Sequence, residues 1–228
     1  MRRLLPLLAL VVFAAGCGGG STTTVTVTTT RVVTRTVTTQ VTPQAVRLYF
    51  FRNDKLGPVS RQVTSTSRDA LLAALNDGPT EEEKRLGFEA AQGDGLTAEI
   101  VYTLSQFDPA KSVVVAGKSY TRGEFEDVTP AILVETPLPF DEVSAPLRVA
   151  GTANTFEATF EYDLLDPAGK VLKHDFATAT SGSGTRGTFD FKVPFEAPNG
   201  VARLVVYERS AADGSKTHVV EIPISLAK

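Results

Sequence analysis

The sequence predicts a mainly β protein: a small α+β region followed by an antiparallel β-sandwich, both carried behind an export signal and a disordered threonine-rich tether. Three observations lead there. Phe156, Ala158, Phe160, Tyr162 and Leu164 alternate with Glu157, Thr159, Glu161 and Asp163, and Phe189, Phe191, Val193 and Phe195 alternate with Thr188, Asp190 and Lys192. This is the period-two pattern of strands with one buried and one wet face. Twelve threonines crowd the 22 residues from Ser21 to Thr42. A 13-residue apolar run, Leu4 to Gly16, ends at the one cysteine of the chain.

The first element is a targeting segment. Met1-Arg2-Arg3 is a positive start, the apolar run is too short to span a bilayer, and Ala14-Ala15-Gly16 places small residues before Cys17, the layout of a secretory signal. Ala14-Ala15-Gly16-Cys17 resembles the bacterial lipobox, with Ala14 where leucine is usual. The resemblance implies cleavage before Cys17 and a diacylglycerol on its thiol; the alternatives are a plain signal peptide with a chance cysteine, or a buried core cysteine. Two or three acyl chains on one residue hold a protein at a membrane where a single chain does not. Residues 1–16 are therefore expected as a lipoprotein signal peptide and 17–44 as a lipid-anchored linker. With Arg2 and Arg3 removed, 21 basic face 26 acidic residues, a net charge of −5 against −3 for the whole chain.

The linker is Thr and Val interleaved with Arg31, Arg35 and Gln40, and the first acidic residue of the chain is Asp54. Such composition lacks the large apolar surface of a core. Extended at roughly 3.3 Å per residue, it reaches about 70 Å, enough to lift a domain off a membrane. Its β-branched content also permits an ordered strand.

Order is expected from Ala45. Val46 to Phe51 has strand composition, Asn53 to Pro58 a turn, and Val59 to Val63 a returning strand. Ser67 is placed to cap a helix from Arg68 to Leu75 with Leu71, Leu72 and Leu75 on one face. Asn76-Asp77-Gly78-Pro79 ends it. Thr80 caps Glu81-Glu82-Glu83, carboxylates that a helix N-terminus favours, so the triplet reads as a first turn and not a metal site. Further strands are expected at Ala98–Leu104 and Ser112–Ala116. Val46 to Phe51, Pro58-Val59-Ser60-Arg61, the leucine-rich helix and Asn76-Asp77-Gly78-Pro79-Thr80-Glu81 resemble the GerMN domain of bacterial sporulation and germination proteins. Val101 to Phe107 resembles its later helix or strand region, followed by Val113-Val114-Val115 and Gly117. Only Leu86 to Gly95 stands where that family carries further strands, which implies a shortened domain over 45–127.

From Ile132 the pattern becomes short, regularly spaced strands: 132–134, 147–153, 156–164, 171–177, 188–195, 202–208 and 217–224. Seven antiparallel strands in about 95 residues describe an immunoglobulin-like sandwich; without Trp or a disulfide, its core rests on Phe, Val and Leu. Ile132 to Pro137, Pro146 to Ala153, Asn154 to Ala158 and Gly187-Thr188-Phe189 are similar to Gmad2, an immunoglobulin-like module often found after GerMN, here over 131–227.

Composition bounds the chemistry. One cysteine makes neither an internal disulfide nor a thiolate zinc site, two histidines leave little for a metal centre, and a pI near 5.5 argues against a nucleic-acid partner. No cofactor or metal is expected. Gly182-Ser183-Gly184-Thr185-Arg186-Gly187 fits GxGxxG by letter, but a strand follows where a dinucleotide site needs a helix. His174 with Asp175, and His218 with Glu221, are conceivable acid–base pairs, although no GxSxG or HExxH accompanies them. Asn154, Phe156 and Glu157 are the candidate binding edge, with Glu208, Ser210 and Asp213 as a second. The expected function is a non-enzymatic, exported, membrane-anchored lipoprotein that binds an envelope protein or a cell-wall glycan, with a sporulation or germination role implied by resemblance. The alternative is a wall hydrolase, or its accessory subunit, using His174 or the acids Glu124, Glu126 and Asp127.

Overall fold

The computed structural model describes residues 22–29, 33–40, 42–196 and 199–227. The expected signal peptide, residues 1–16, and Cys17 lie outside the described residues. Thr22–Thr29 (β1) and Val33–Gln40 (β2) pair antiparallel, from Thr22 opposite Gln40 to Thr29 opposite Val33. This corrects the expectation of a disordered tether: two equal Thr/Val runs, already biased to extended backbone, satisfy each other's N–H and C=O groups. The ribbon is a sheet of its own.

Gln44–Arg52 (β3) and Lys55–Val63 (β4) form the predicted hairpin, but Lys55 to Pro58, expected in the turn, already belong to β4. Asn53 and Asp54 alone turn the chain, with φ of 51° and 59°; their short side chains tolerate the left-handed pair that a two-residue hairpin turn requires. Arg68–Asn76 (α1) starts at Ser67, whose hydroxyl accepts from Ala70 N, and buries Leu71 and Leu75. Glu81–Arg85 (α2) opens on the expected capping box, Thr80 Oγ1 accepting from Glu83 N while Glu83 accepts from Thr80 N at 2.8 Å. The same carboxylate takes Arg61 Nη2 at 2.6 Å. Burial opposes its ionisation, yet the bonds from Arg61 and Thr80 outweigh burial and hold Glu83 below the usual carboxyl value.

Phe88–Glu89 (β5) adds briefly to β3, and Asp94–Leu104 (α3) follows. The helix corrects the strand expected over Ala98–Leu104. Ile100 and Leu104 pack on the cluster of Val46, Leu48, Phe50 and Leu71, whereas Ala98 and Tyr102 pack on Tyr49, Leu56 and Leu133. A helix buried on two sides loses the one-sided period that betrays it, and the short apolar run then reads as a strand.

Glu99, on that helix, is fully buried; its Oε1 accepts from Ala91 N at 2.9 Å and its Oε2 has no partner among the described residues. Burial pushes its carboxyl up from 4.5 to about 7. A folded-state value above the unfolded one means the native protein holds the proton more tightly. This contribution to stability is complete below pH 4.5 and is lost as pH rises to about 7, at no more than ~1.4 kcal/mol per pH unit. Glu99→Gln removes that slope from urea unfolding measured between pH 5 and 7; an undiminished slope would place the titration elsewhere.

Val113–Val115 (β6) and Lys118–Tyr120 (β7) form a small hairpin, and 3-10 turns over Arg122–Val128 lead into the sandwich. Its strands are Ile132–Thr136 (β8), Glu142–Ser144 (β9), Leu147–Ala153 (β10), Thr159–Leu165 (β11), Val171–Thr178 (β12), Gly187–Val193 (β13), Gly200–Arg209 (β14) and Lys216–Ala227 (β15). They make a sheet ordered β13-β10-β8 and a second ordered β12-β11-β14-β15-β9. The eighth strand, β9, pairs parallel with the end of β15; three residues after a proline-rich loop carry no readable period. The inner faces meet as predicted through Leu147, Val149, Phe160, Leu164, Val193 and Leu204. Phe160 packs at a tilt against Phe189, and Tyr162 against Phe191, with ring centres 4.8 and 5.0 Å apart.

The alternation fails at its first member. Phe156–Ala158 is a turn with φ of 52° at Glu157 and 59° at Ala158, so β11 begins only at Thr159 and Phe156 points outward, 66% exposed.

Candidate functional site

The β10–β11 connection, the β12–β13 loop and the end of β14 meet at one end of the sandwich, and they carry the candidate edge. Asn154 is a clamp: its Oδ1 accepts from Gly184 N at 2.9 Å and its Nδ2 donates to Glu126 Oε1 at 2.8 Å. Phe156 N donates to Glu208 Oε1 at 2.6 Å, and Glu157 N to Ser183 Oγ at 3.1 Å. The GxGxxG-like loop is thus a buttress for this turn, and it runs into β13, not a helix. Gly182 is required there because a Cβ would lie 2.4 Å from Thr155 O. Of the three predicted residues, Asn154 is spent internally, while Phe156 and Glu157 face solvent. Glu208 joins this edge and also accepts from His218 Nδ1 at 2.8 Å. Ser210 and Asp213 instead close the β14–β15 turn, Asp213 Oδ1 accepting from Ser215 N at 3.0 Å.

Neither predicted histidine pair forms. Consecutive residues of a strand point to opposite faces, whereas cross-strand partners share one. His174 therefore meets Asp163, its partner in the β11–β12 register, with Nδ1 and Oδ1 2.7 Å apart. Asp175 pairs with Lys173, and Glu221 with Arg203. Lys216 Nζ lies 2.7 Å from Asp163 Oδ2 and 3.9 Å from the centre of the Tyr207 ring. Burial resists ionisation of Asp163, but the bonds from Lys216 and His174 prevail and hold its carboxyl below the usual value. Two of the three acids proposed for hydrolysis are likewise engaged, while the Asp127 side chain is exposed and only its backbone carbonyl is used, by Lys55. Glu124 caps the turn at Thr121, and Glu126 grips Arg186 through two bonds of 2.8 and 2.9 Å. Arg186 holds Glu126 below the usual carboxyl value, the reverse of what a general acid for glycoside cleavage needs.

The residues that the sequence did not reveal lie at the seam between the two regions. Arg122, from the connecting turns, spans Tyr102 and Tyr49, 4.5 and 5.4 Å from the ring centres. It reaches Glu135 on β8 at 2.9 Å, Ser105 Oγ at 2.8 Å and Tyr102 O at 3.1 Å. Tyr49 OH donates to Glu135 as well, and burial, with the Glu135 charge, raises the Tyr49 hydroxyl above its ordinary value. No local pattern marks these residues, which are 86 positions apart from Tyr49 to Glu135. Beside the seam, β4, β8 and β15 border a cavity of about 430 Å³. Its walls include Phe88, Pro130, Pro139 and Val219, and its rim carries Arg52 and Lys55.

Among the described residues no helix is long and apolar enough to cross a membrane. Residues 131–215 match Gmad2, the immunoglobulin-like domain of bacterial spore germination, in agreement with the sandwich expected over 131–227. No curated protein matches the chain.

Proposed function

We propose that this protein is a non-enzymatic, membrane-anchored envelope lipoprotein that serves as a binding or scaffold module with a role in germination. The observation that carries the reading is the match of residues 131–215 to the spore-germination immunoglobulin-like domain. Supporting it, the Arg122–Glu135 network ties that domain to the preceding region as one platform. That region, 45–127, acts in this reading as a shortened GerMN-like partner module. Cys17 carries the lipid, and residues 17–44 set the platform off the membrane.

Two measurements test this. Cells expressing the full chain incorporate labelled palmitate and hold the protein in the membrane fraction, and Cys17→Ala loses both; unchanged labelling would remove the anchor. The full chain retains an envelope protein from solubilised membranes, or sediments with peptidoglycan. Failure in both assays would overturn the binding role.

A further inference from the structure

We infer that the cavity between the two regions is a binding groove for an extended acidic peptide segment, which adds to the free edge of β15 and places carboxylates on Arg52 and Lys55. The inference deepens the binding-module reading and rests on it.

The edge is open where the cavity meets it. β9 covers β15 only from Ser225 onward, and Pro223 O already accepts from Phe140 N on that same side. Glu221 lies two residues earlier, so by the strand period its N–H and C=O face the same way, into the cavity and away from β14. The position of its carbonyl agrees, since Glu221 O accepts from Arg52 Nη1 at 2.9 Å. An unpaired strand edge in an apolar-walled groove is the setting in which an extended peptide docks by main-chain hydrogen bonds. A volume of about 430 Å³ accommodates a few residues of such a chain.

Charge selects the occupant. Arg52 and Lys55 both rest on neutral acceptors, the carbonyl oxygens of Glu221 and Asp127, and neither forms an ion pair among the described residues. Of the nearby acids, Glu221 pairs with Arg203, Glu126 with Arg186 and Glu208 with His218, while Asp127 meets Lys55 through its backbone carbonyl and its exposed carboxylate pairs with neither cation. A carboxylate is the stronger acceptor for either cation. Burial lowers the Arg52 value, and the charge of Glu221 opposes this without cancelling it. As an incoming carboxylate draws Arg52 from Glu221 O, that edge carbonyl is freed for a peptide N–H. The groove therefore suits a strand that alternates acidic residues with small apolar ones against Val219 and Pro139.

The test uses the full chain in detergent solution and acetyl-Thr-Glu-Val-Glu-Val-Thr-amide, followed by isothermal titration. Saturable binding is expected, at least ~tenfold weaker for the peptide with Gln in place of Glu. Arg52→Gln and Lys55→Gln each weaken it about tenfold, Val219→Glu weakens it by repulsion at the mouth, and Lys170→Gln, on the distant β11–β12 turn, leaves it unchanged. Arg52 also bridges the two regions, so Lys55→Gln and Val219→Glu decide the matter if Arg52→Gln lowers the melting temperature. No binding, binding indifferent to these substitutions, or equal binding of oligogalacturonate with the same dependence would overturn the peptide groove. Capture of an envelope component that survives Arg52→Gln/Lys55→Gln would also overturn the groove as its site while the broader binding role stands. Loss of all envelope capture beside intact peptide binding would strike only the broader reading.

Discussion

Gly151→Ala is expected to destabilise the sandwich by about 4 kcal/mol or more, at the upper end of single-substitution effects. Gly151 sits at the irregularity where the β8–β10 register shifts. A Cβ there would lie 2.0 Å from Leu133 O, 2.9 Å from the Phe189 ring and 3.1 Å from Glu135 N. The two backbone atoms belong to β8 and cannot rotate aside, so the methyl must push β8 away from β10. That movement breaks ladder hydrogen bonds and displaces Glu135 from Arg122, so the damage reaches the seam. For a chain of this size the melting temperature falls roughly 10 °C. Gly123→Ala is the control, because its nearest neighbour would be Thr121 Oγ1 at 3.8 Å; a change within about 0.5 kcal/mol is expected. A Gly151→Ala protein as stable as the parent in guanidinium unfolding would refute the close approach of β8 to β10.

Arg122→Met is expected to cost about 3–5 kcal/mol, because it leaves Glu135 nearly buried without its cation. The side chains are only 11% and 13% exposed, so water cannot replace the lost partner. Arg122 also gives up its two aromatic neighbours and the bonds to Ser105 and Tyr102 O. The double substitution Arg122→Met/Glu135→Leu recovers part of the loss, since a buried pair replaced by apolar groups of similar volume is often neutral, while the buried Tyr49 hydroxyl still loses its acceptor. The measurement is a double-mutant cycle from denaturant unfolding, with limited proteolysis to show whether residues 122–131 become cleavable. Additive losses, with no coupling between the two positions, would show that the pair does not hold the regions together.

Much of the architecture was legible because its causes are local. Ser67 and Thr80 announce their helices by capping chemistry that needs only the next three residues. Phe189, Phe191 and Val193 announce a strand because each side chain alternates against one core. Legibility failed where two neighbours compete for one segment, as in α3, whose Ile100 and Tyr102 serve different clusters. It failed again at Phe156, where the apolar period continues but the backbone turns left-handed at Glu157 and Ala158 under the bonds from Glu208 and Ser183. The candidate edge was half legible: its residues do meet, but Asn154 is consumed as a clamp.

Patterning along the chain settles the class of each module, the sandwich core of Phe, Val and Leu, and the starts of α1 and α2, since these follow from strand period, burial and caps within a few residues. Pairing across the chain settles the rest. Which carboxylate meets His174, how Arg122 links Tyr49 to Glu135, and which edge of β15 stays open beside Arg52 and Lys55 depend on register and on the approach of two folded surfaces. Those are interactions between residues up to 169 positions apart, as for Arg52 and Glu221, and no local period encodes them.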